Sequence, residues 1–251
     1  MEGRELNIYN TLLGLPLFQG MSKGDLEDVT GHTRFDFCHF DKDEIIVKAG
    51  NECVAMWFLT SGNASASSFS DDNSYYVEEQ MSAPAMLQAE PLFGLTQRFI
   101  QTVTALSRCD ILMIGKSEVL RLMGAHDIFR TNLMNILTTR SQRLLRRPWR
   151  TVPRSLRESI VRVFSDRCLH PAGAKTFHIG MQQIADLTGA SRLNVSRELH
   201  AMEREGLIVL NRQLVFIPAL ESLYVQNHGY NKSKDAGKLV KNTRNRYFLG
   251  A

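Results

Sequence analysis

Apolar positions change period several times along the chain, and the sharpest change lies between residues 181 and 217. Ile184, Ala185 and Leu187 fall on one side of a short helix over residues 181–188. Gly189 follows, where a tight inter-helix turn needs a residue free to take positive φ. Val195, Leu199 and Met202 then recur at i, i+4 and i+7, the spacing of a second helix with one buried stripe. Ser191 precedes that helix as an N-cap whose hydroxyl accepts a bond from an otherwise unpaired N–H, and Gly206 ends it. The apolar runs 207–210 and 214–217 flank a turn at Asn211-Arg212, which predicts a two-stranded wing. Arg192, Ser196, Arg197 and His200 point away from the stripe. A helix that offers arginines and short polar groups near its start is what reading the major groove requires.

The rest of the chain divides by the same criterion. Residues 6–30 read as helical. From 33 to 115 short apolar runs (44–47, 55–59, 75–77, 102–106 and 111–114) alternate with turn-rich segments such as Ser61-Gly62-Asn63 and Ser70-Asp71-Asp72-Asn73. Several short strands at near-regular spacing predict an antiparallel roll. After Ser117 the period becomes helical, with Phe129, Leu133, Ile136, Leu137, Arg140 and Leu144 on a three/four spacing up to Pro148. Leu156, Ile160, Val163 and Phe164 mark a further helix that starts near Pro153. The fold class expected is α+β: an N-terminal antiparallel β-roll (a double-stranded β-helix) over 1–125, a long helix over 126–147, a winged helix-turn-helix over 148–225, and a basic tail over 226–251 that reads as disordered.

Charge sharpens this division. Residues 1–125 hold 9 Lys/Arg against 17 Asp/Glu, and residues 126–251 hold 21 against 9. An acidic half joined to a basic half suggests a sensor or partner domain attached to a polyanion-binding one. Eight arginines (140, 143, 146, 147, 150, 154, 157 and 162) crowd the region before the helix-turn-helix with Glu158 as the one acid among them. Such a run is either a solvated face or a set of phosphate contacts. The tail from Gln226 carries six Lys/Arg against Asp235 alone, which suits a DNA-associating arm or a solubilising end. Four scattered cysteines and no secretory signal fit a reduced cytoplasm, and no apolar run approaches a membrane span, so no membrane partner is expected.

The pattern Ile-Ala-x-Leu-x-Gly-x-Ser-Arg-x-x-Val-Ser-Arg-x-Leu over residues 184–199 resembles the DNA-binding domain of the Crp/Fnr superfamily of bacterial transcription regulators. The resemblance extends more weakly over most of residues 12–217. It implies a cyclic-nucleotide-binding-like sensor roll and a long helix that pairs two subunits through Phe129, Leu133, Ile136, Leu137, Arg140 and Leu144. It also implies double-stranded DNA and a second copy of the chain as partners, with RNA polymerase as a further candidate. The DNA-binding residues it implies are Gln182, Gln183, Ser191, Arg192, Leu193, Asn194, Ser196, Arg197 and His200. Arg192 and Arg197 match base- and phosphate-contacting arginines, and Gln182 or Gln183 would grip phosphate at the first helix's N-terminus. Leu193 departs from the many relatives that carry a glutamate there, so a cytosine amine cannot be read at that position.

The family's nucleotide pocket requires a carboxylate for the ribose and an arginine for the phosphate. Aligning on Thr102-Val103-Thr104-Ala105 puts the arginine's place at Phe99, and the glycine and glutamate places near Gln88 and Ala89. A phosphate buried without its cation is costly, which argues against a cyclic nucleotide. The N-terminal cysteine cluster of the iron–sulfur branch is absent, which rejects that cofactor. Met86, Leu87, Leu92, Phe93 and Phe99 remain as an apolar effector pocket. Haem is an open alternative, with His32, His39 and His126 as conceivable axial ligands, and the effector is otherwise unknown. A scaffold whose winged helix binds protein is the second function class. An enzyme is disfavoured because the sequence shows no nucleophile–base pair, metal-ligand spacing or phosphate loop.

Overall fold

Short strands of alternating exposure fill the first half of the chain in this computed structural model, which describes residues 2–227. The tail beyond residue 227, expected to be disordered, lies outside the described residues. Helix α1 (Glu2–Gly14), a 3-10 turn (Pro16–Phe18) and α2 (Lys23–His32) lead into the strands. A capping box starts α2: the Ser22 hydroxyl accepts from the Asp25 N–H, and the Asp25 carboxylate accepts from the Ser22 N–H. The strands are β1 (Phe35–Phe40), β2 (Ile45–Val47), β3 (Ala55–Ser61), β4 (Asn63–Phe69), β5 (Tyr76–Ser82), β6 (Ala85–Met86), β7 (Thr102–Ala105) and β8 (Cys109–Gly115). The short helix α3 (Glu90–Phe93) sits between β6 and β7.

Two sheets make the roll. One runs in the order β1-β8-β3-β6, and in the other β5, β4, β7 and β2 lie side by side. Their inner faces share one core, in which Phe58, Leu59, Val103 and Leu112 meet the small Ala64 and Ala66 of β4. Phe18, ahead of α2, stacks into this core with its ring 6.4 Å from that of Phe58. The β3–β4 turn depends on Gly62: its φ is +91°, and a Cβ there would collide with the Arg108 carbonyl oxygen.

Two helices follow, α4 (Lys116–Ala125) and the 20-residue α5 (Asp127–Arg146). At about 1.5 Å per residue α5 is about 30 Å long. It gives way to a 3-10 turn (Arg147–Trp149) at Pro148, as expected of a residue that cannot continue a helix. Phe129 and Leu133 are fully buried against the roll, with the Phe129 ring 5.2 Å from Phe18. These two residues of the expected pairing stripe therefore belong to the chain's own core and are not free for a partner. Ile136 and Leu137 pack partly on the same core, and the Arg140 guanidinium is ion-paired to Glu90 of α3. Of the six, Leu144 is half-exposed, and Ile128, Met134 and Leu145 are exposed elsewhere on the same helix.

The C-terminal part comprises α6 (Leu156–Asp166), β9 (Lys175–His178), α7 (Met181–Thr188), α8 (Arg192–Arg204), β10 (Val209–Asn211), β11 (Leu214–Ile217) and α9 (Ser222–Asn227). Ile160, Phe164, Ile184, Val195, Leu199, Met202 and Val215 build its core. Val77 of β5, from the roll, joins that core, and Tyr75 packs against it. The reason is a shared sheet. β9 pairs with β11 on one side and with β5 on the other, so the strands β10-β11-β9-β5-β4-β7-β2 form one seven-stranded sheet through both parts.

Candidate nucleic-acid interface

The helix pair α7–α8 is built as the apolar spacing requires. Gly189 takes φ +66° and its N–H donates to the Ala185 carbonyl, which closes α7 and turns the chain. The Ser191 hydroxyl accepts from the Asn194 N–H at 3.3 Å and starts α8. Val195, Leu199 and Met202 are fully buried. Leu187, expected to face inward, is 39% exposed, because α7 ends one residue later and its inner face is already filled by Ile184 and Ala185.

Arg192, Leu193, Asn194, Arg197 and His200 are exposed, and Ser196 is half-buried. Among the described residues neither Arg192 nor Arg197 has an acidic partner, whereas His200 lies 3.3 Å from Glu203. The Glu203 carboxylate accepts from the Leu210 N–H at 2.8 Å and so ties α8 to the wing. That bond first, and His200 second, hold its carboxyl below the ordinary range. A cleft of about 380 Å³ runs between Arg192 and the wing residues Asn211, Arg212 and Gln213. Gln182 donates to Asp186 at 2.9 Å. Gln183 is engaged at both ends of its amide: Oε1 accepts from the Gly180 N–H at 2.7 Å, and Nε2 donates to the Ser74 carbonyl of the β4–β5 turn at 2.8 Å. The expected phosphate grip of Gln183 is thus occupied by the sensor in this arrangement.

The arginine run ahead of α7 is largely used within the protein. Arg150 reaches Asp166 at 2.9 Å, and Arg162 donates to the Thr151 carbonyl. Arg157 of α6 forks onto Glu205 through two bonds of 2.7 Å and also meets Glu198, which fastens α8 from behind. These bonds, Glu205 first, raise its already high basicity further. Nothing in the local sequence separates Arg157 from its neighbours, because its two partners lie 41 and 48 residues away.

The sensor's cassette between β6 and β7 is closed on itself. Gln88 is buried, and its Oε1 accepts from the N–H groups of Ile100 at 2.7 Å and Gln101 at 2.9 Å. Its Nε2 donates to the Gln101 carbonyl at 2.9 Å, and the Gln101 amide donates to Ser68 Oγ at 2.7 Å. Met86, Leu87, Leu92 and Phe99 are buried in the roll core, with Phe99 edge-on to Trp57 at 6.2 Å. Phe93 departs from the expected pocket: it is 36% exposed and lies under the Lys116 ammonium. Arg98 turns outward, and its guanidinium donates to the Gly50 carbonyl at 2.7 Å. His32 lies 3.0 Å from Asp28, His39 lies 2.6 Å from Asp110, and His126 sits between Asp25 and Asp28. Among the described residues no group of three or more His, Cys, Asp or Glu could hold a metal ion.

Two family models match this arrangement, a cyclic nucleotide-binding domain over residues 37–126 and a Crp-like helix-turn-helix domain over residues 157–224. The chain belongs to the Crp/Fnr superfamily. It is a Crp/Fnr-type transcriptional regulator, with a cyclic-nucleotide-binding-type sensor and a DNA-binding helix-turn-helix. No curated protein matches this regulator. Among solved structures it is similar to the catabolite activator protein of Thermus thermophilus, at 19% identity over 83% of this chain and 96% of that one, with a TM-score of 0.45. A Crp/Fnr-family regulator from Eubacterium rectale is similar at 16% identity over 86% and 99%, with a TM-score of 0.47. DNR from Pseudomonas aeruginosa is similar at 19% identity over 86% and 96%, with a TM-score of 0.41. Among the described residues no helix is long and apolar enough to cross a membrane.

Proposed function

We propose that this regulator binds a palindromic operator as a homodimer, each subunit inserting the N-terminal half of α8 into a major groove. The observation that carries this reading is the exposed face of α8, where Arg192 and Arg197 stand beside Asn194 and Ser196 with no acid among the described residues to neutralise them. An arginine fork on guanine O6 and N7 supplies about 1–3 kcal/mol of discrimination. The second subunit is supported by the exposed apolar side chains of α5, among them Met134, Leu144 and Leu145. Paired in this way, the two reading helices would meet grooves about 34–36 Å apart. RNA polymerase would be engaged by the bound dimer.

Leu193, 60% exposed on the reading face, favours contact with a thymine methyl over a cytosine amine. Selection of bound duplexes from a random pool tests the whole reading. A two-fold-symmetric site without cytosine preference opposite Leu193 is expected, and recovery of no enriched duplex would sink it. Sedimentation of the same protein tests the dimer.

The effector we infer is not a cyclic nucleotide. Phe99 stands where a phosphate would need a cation, and Gln88 already takes the N–H groups of residues 100 and 101. Haem would have to draw an axial ligand from His32, His39 or His126, each of which is held by aspartate. Titration with haemin, read at the Soret band, tests that alternative, and mass spectrometry of small molecules carried by the purified protein tests the remainder.

A further inference from the structure

The contact between sensor and reading head is more specific than a shared sheet edge. Glu79 of β5 is 1% exposed, and among the described residues every partner of its carboxylate belongs to the C-terminal part. Its carboxylate accepts from the N–H groups of Leu169 at 2.9 Å and His170 at 3.0 Å, and pairs with the fully buried Lys175 ammonium at 3.1 Å. Burial pushes this carboxyl up, but the bond from His170 and the charges of Lys175 and His170 outweigh it and leave it at about 2. On the outer face the Tyr76 ring stacks on His178 at 3.9 Å, while Tyr75 packs on the C-terminal core and its hydroxyl accepts from Arg167 at 2.9 Å. The β4–β5 turn carries Asp71 and Asp72 and is held in shape by bonds from Ser70 and Ser74 to Asp72. This acidic turn meets the start of α7, where Ser74 takes the Gln183 amide, and a cleft of about 540 Å³ lies between Asn73, Gln182, Gln183 and Arg212.

We propose that the β4–β5 hairpin is an autoinhibitory latch: paired with β9, it holds its acidic turn against the start of α7, and tight duplex binding requires β5 and β9 to part. The proposal rests on the DNA-reading function above. Helix N-termini attract phosphate, and a carboxylate-bearing turn at that position repels it while it occupies Gln183. The chemistry of the lock suits a reversible contact. A buried ion pair sits near break-even with its hydrated parts, so it separates into water far more readily than a greasy joint of equal area. The hairpin also touches the cassette, since Ser68 of β4 accepts from Gln101, whose backbone binds Gln88. A ligand that displaces Gln88 therefore pulls on the strand pair that carries the latch.

Glu78 and Thr176 face each other across β5 and β9, outside the buried charges. The full-length double variant Glu78→Cys/Thr176→Cys, oxidised and reduced, is assayed on a labelled duplex selected by the wild-type protein, with oxidised wild-type protein as control. The oxidised variant should bind at least about tenfold more weakly than the same sample after reduction, because phosphate contacts at α7 are withheld. Equal or tighter binding by the oxidised form overturns the latch, as does failure of the cross-link to form. If the wild-type protein selects no duplex, the DNA reading itself has failed and the latch falls with it. In Glu79→Gln the amides of Leu169 and His170 should exchange faster and duplex affinity should rise about threefold or more; faster exchange without tighter binding also overturns the proposal.

Discussion

In the cassette between Met86 and Gln101, polar groups are engaged internally: the Gln88 amide makes three bonds to backbone, two accepted and one donated. On α8 the opposite holds: Arg192 and Arg197 are exposed, with no acidic partner among the described residues. The same chain thus silences one site and leaves the other open. A folded core removes unpaired polar groups wherever it can, because each costs free energy when buried. Groups left unpaired at the surface cost little in the free protein and are available to a partner. The contrast separates a pocket that must be opened from a face that is ready.

Salt should break this contrast most visibly. Raising it from about 50 to about 200 mM should weaken duplex binding about a thousandfold if several phosphates are neutralised by the basic half. Fluorescence anisotropy measures this, and a flat response would put α8 in the same silent class as the cassette. Next in size, Arg197→Ala should weaken binding to the selected operator by about 1–3 kcal/mol while sedimentation still reports the dimer. Gln88→Leu acts on the other side of the comparison. It strands the N–H of the buried Gln101 inside the roll and should lower stability by about 1–3 kcal/mol, seen in the denaturant midpoint, with duplex affinity changed far less. The last effect is confined to acid and concerns Glu79. Its carboxyl lies at about 2 in the fold against an ordinary 4.5, so its contribution is complete above 4.5 and is lost as pH falls from there towards 2. Acid unfolding of wild type should therefore be steeper across that window than that of Glu79→Gln.

How much of this was legible in the sequence follows from the range of the interactions. The helix-turn-helix was readable because its determinants are local: Gly189, Ser191 and the Val195, Leu199, Met202 stripe each act within one or two turns. The roll was readable as a class, but β4 was not, since Asn63–Phe69 shows only small inward residues, Ala64 and Ala66, where a tight roll has no room for larger ones. β9 was hidden by Lys175, whose complete burial makes sense only with Glu79 opposite it. The periodic stripe of α5 was visible, but periodicity could not say that Phe129 and Leu133 face the chain's own core while Leu144 faces out. Gln183 read as a phosphate ligand because its partner, the Ser74 carbonyl, lies 109 residues away. Pairings of that separation leave no local trace.

The shared sheet also bears on how the chain assembles during synthesis. All of β1 to β8 precede β9, so the roll can close while the reading head is still being made, and β5 is then an edge strand of its sheet. An unfinished edge of this kind recruits other chains, and charged side chains are the usual protection. Glu78, Glu79 and Gln80 sit side by side on β5, so the carboxylate later buried against Lys175 first serves to keep the waiting edge wet. One residue would then guard against aggregation early and fasten the finished molecule late.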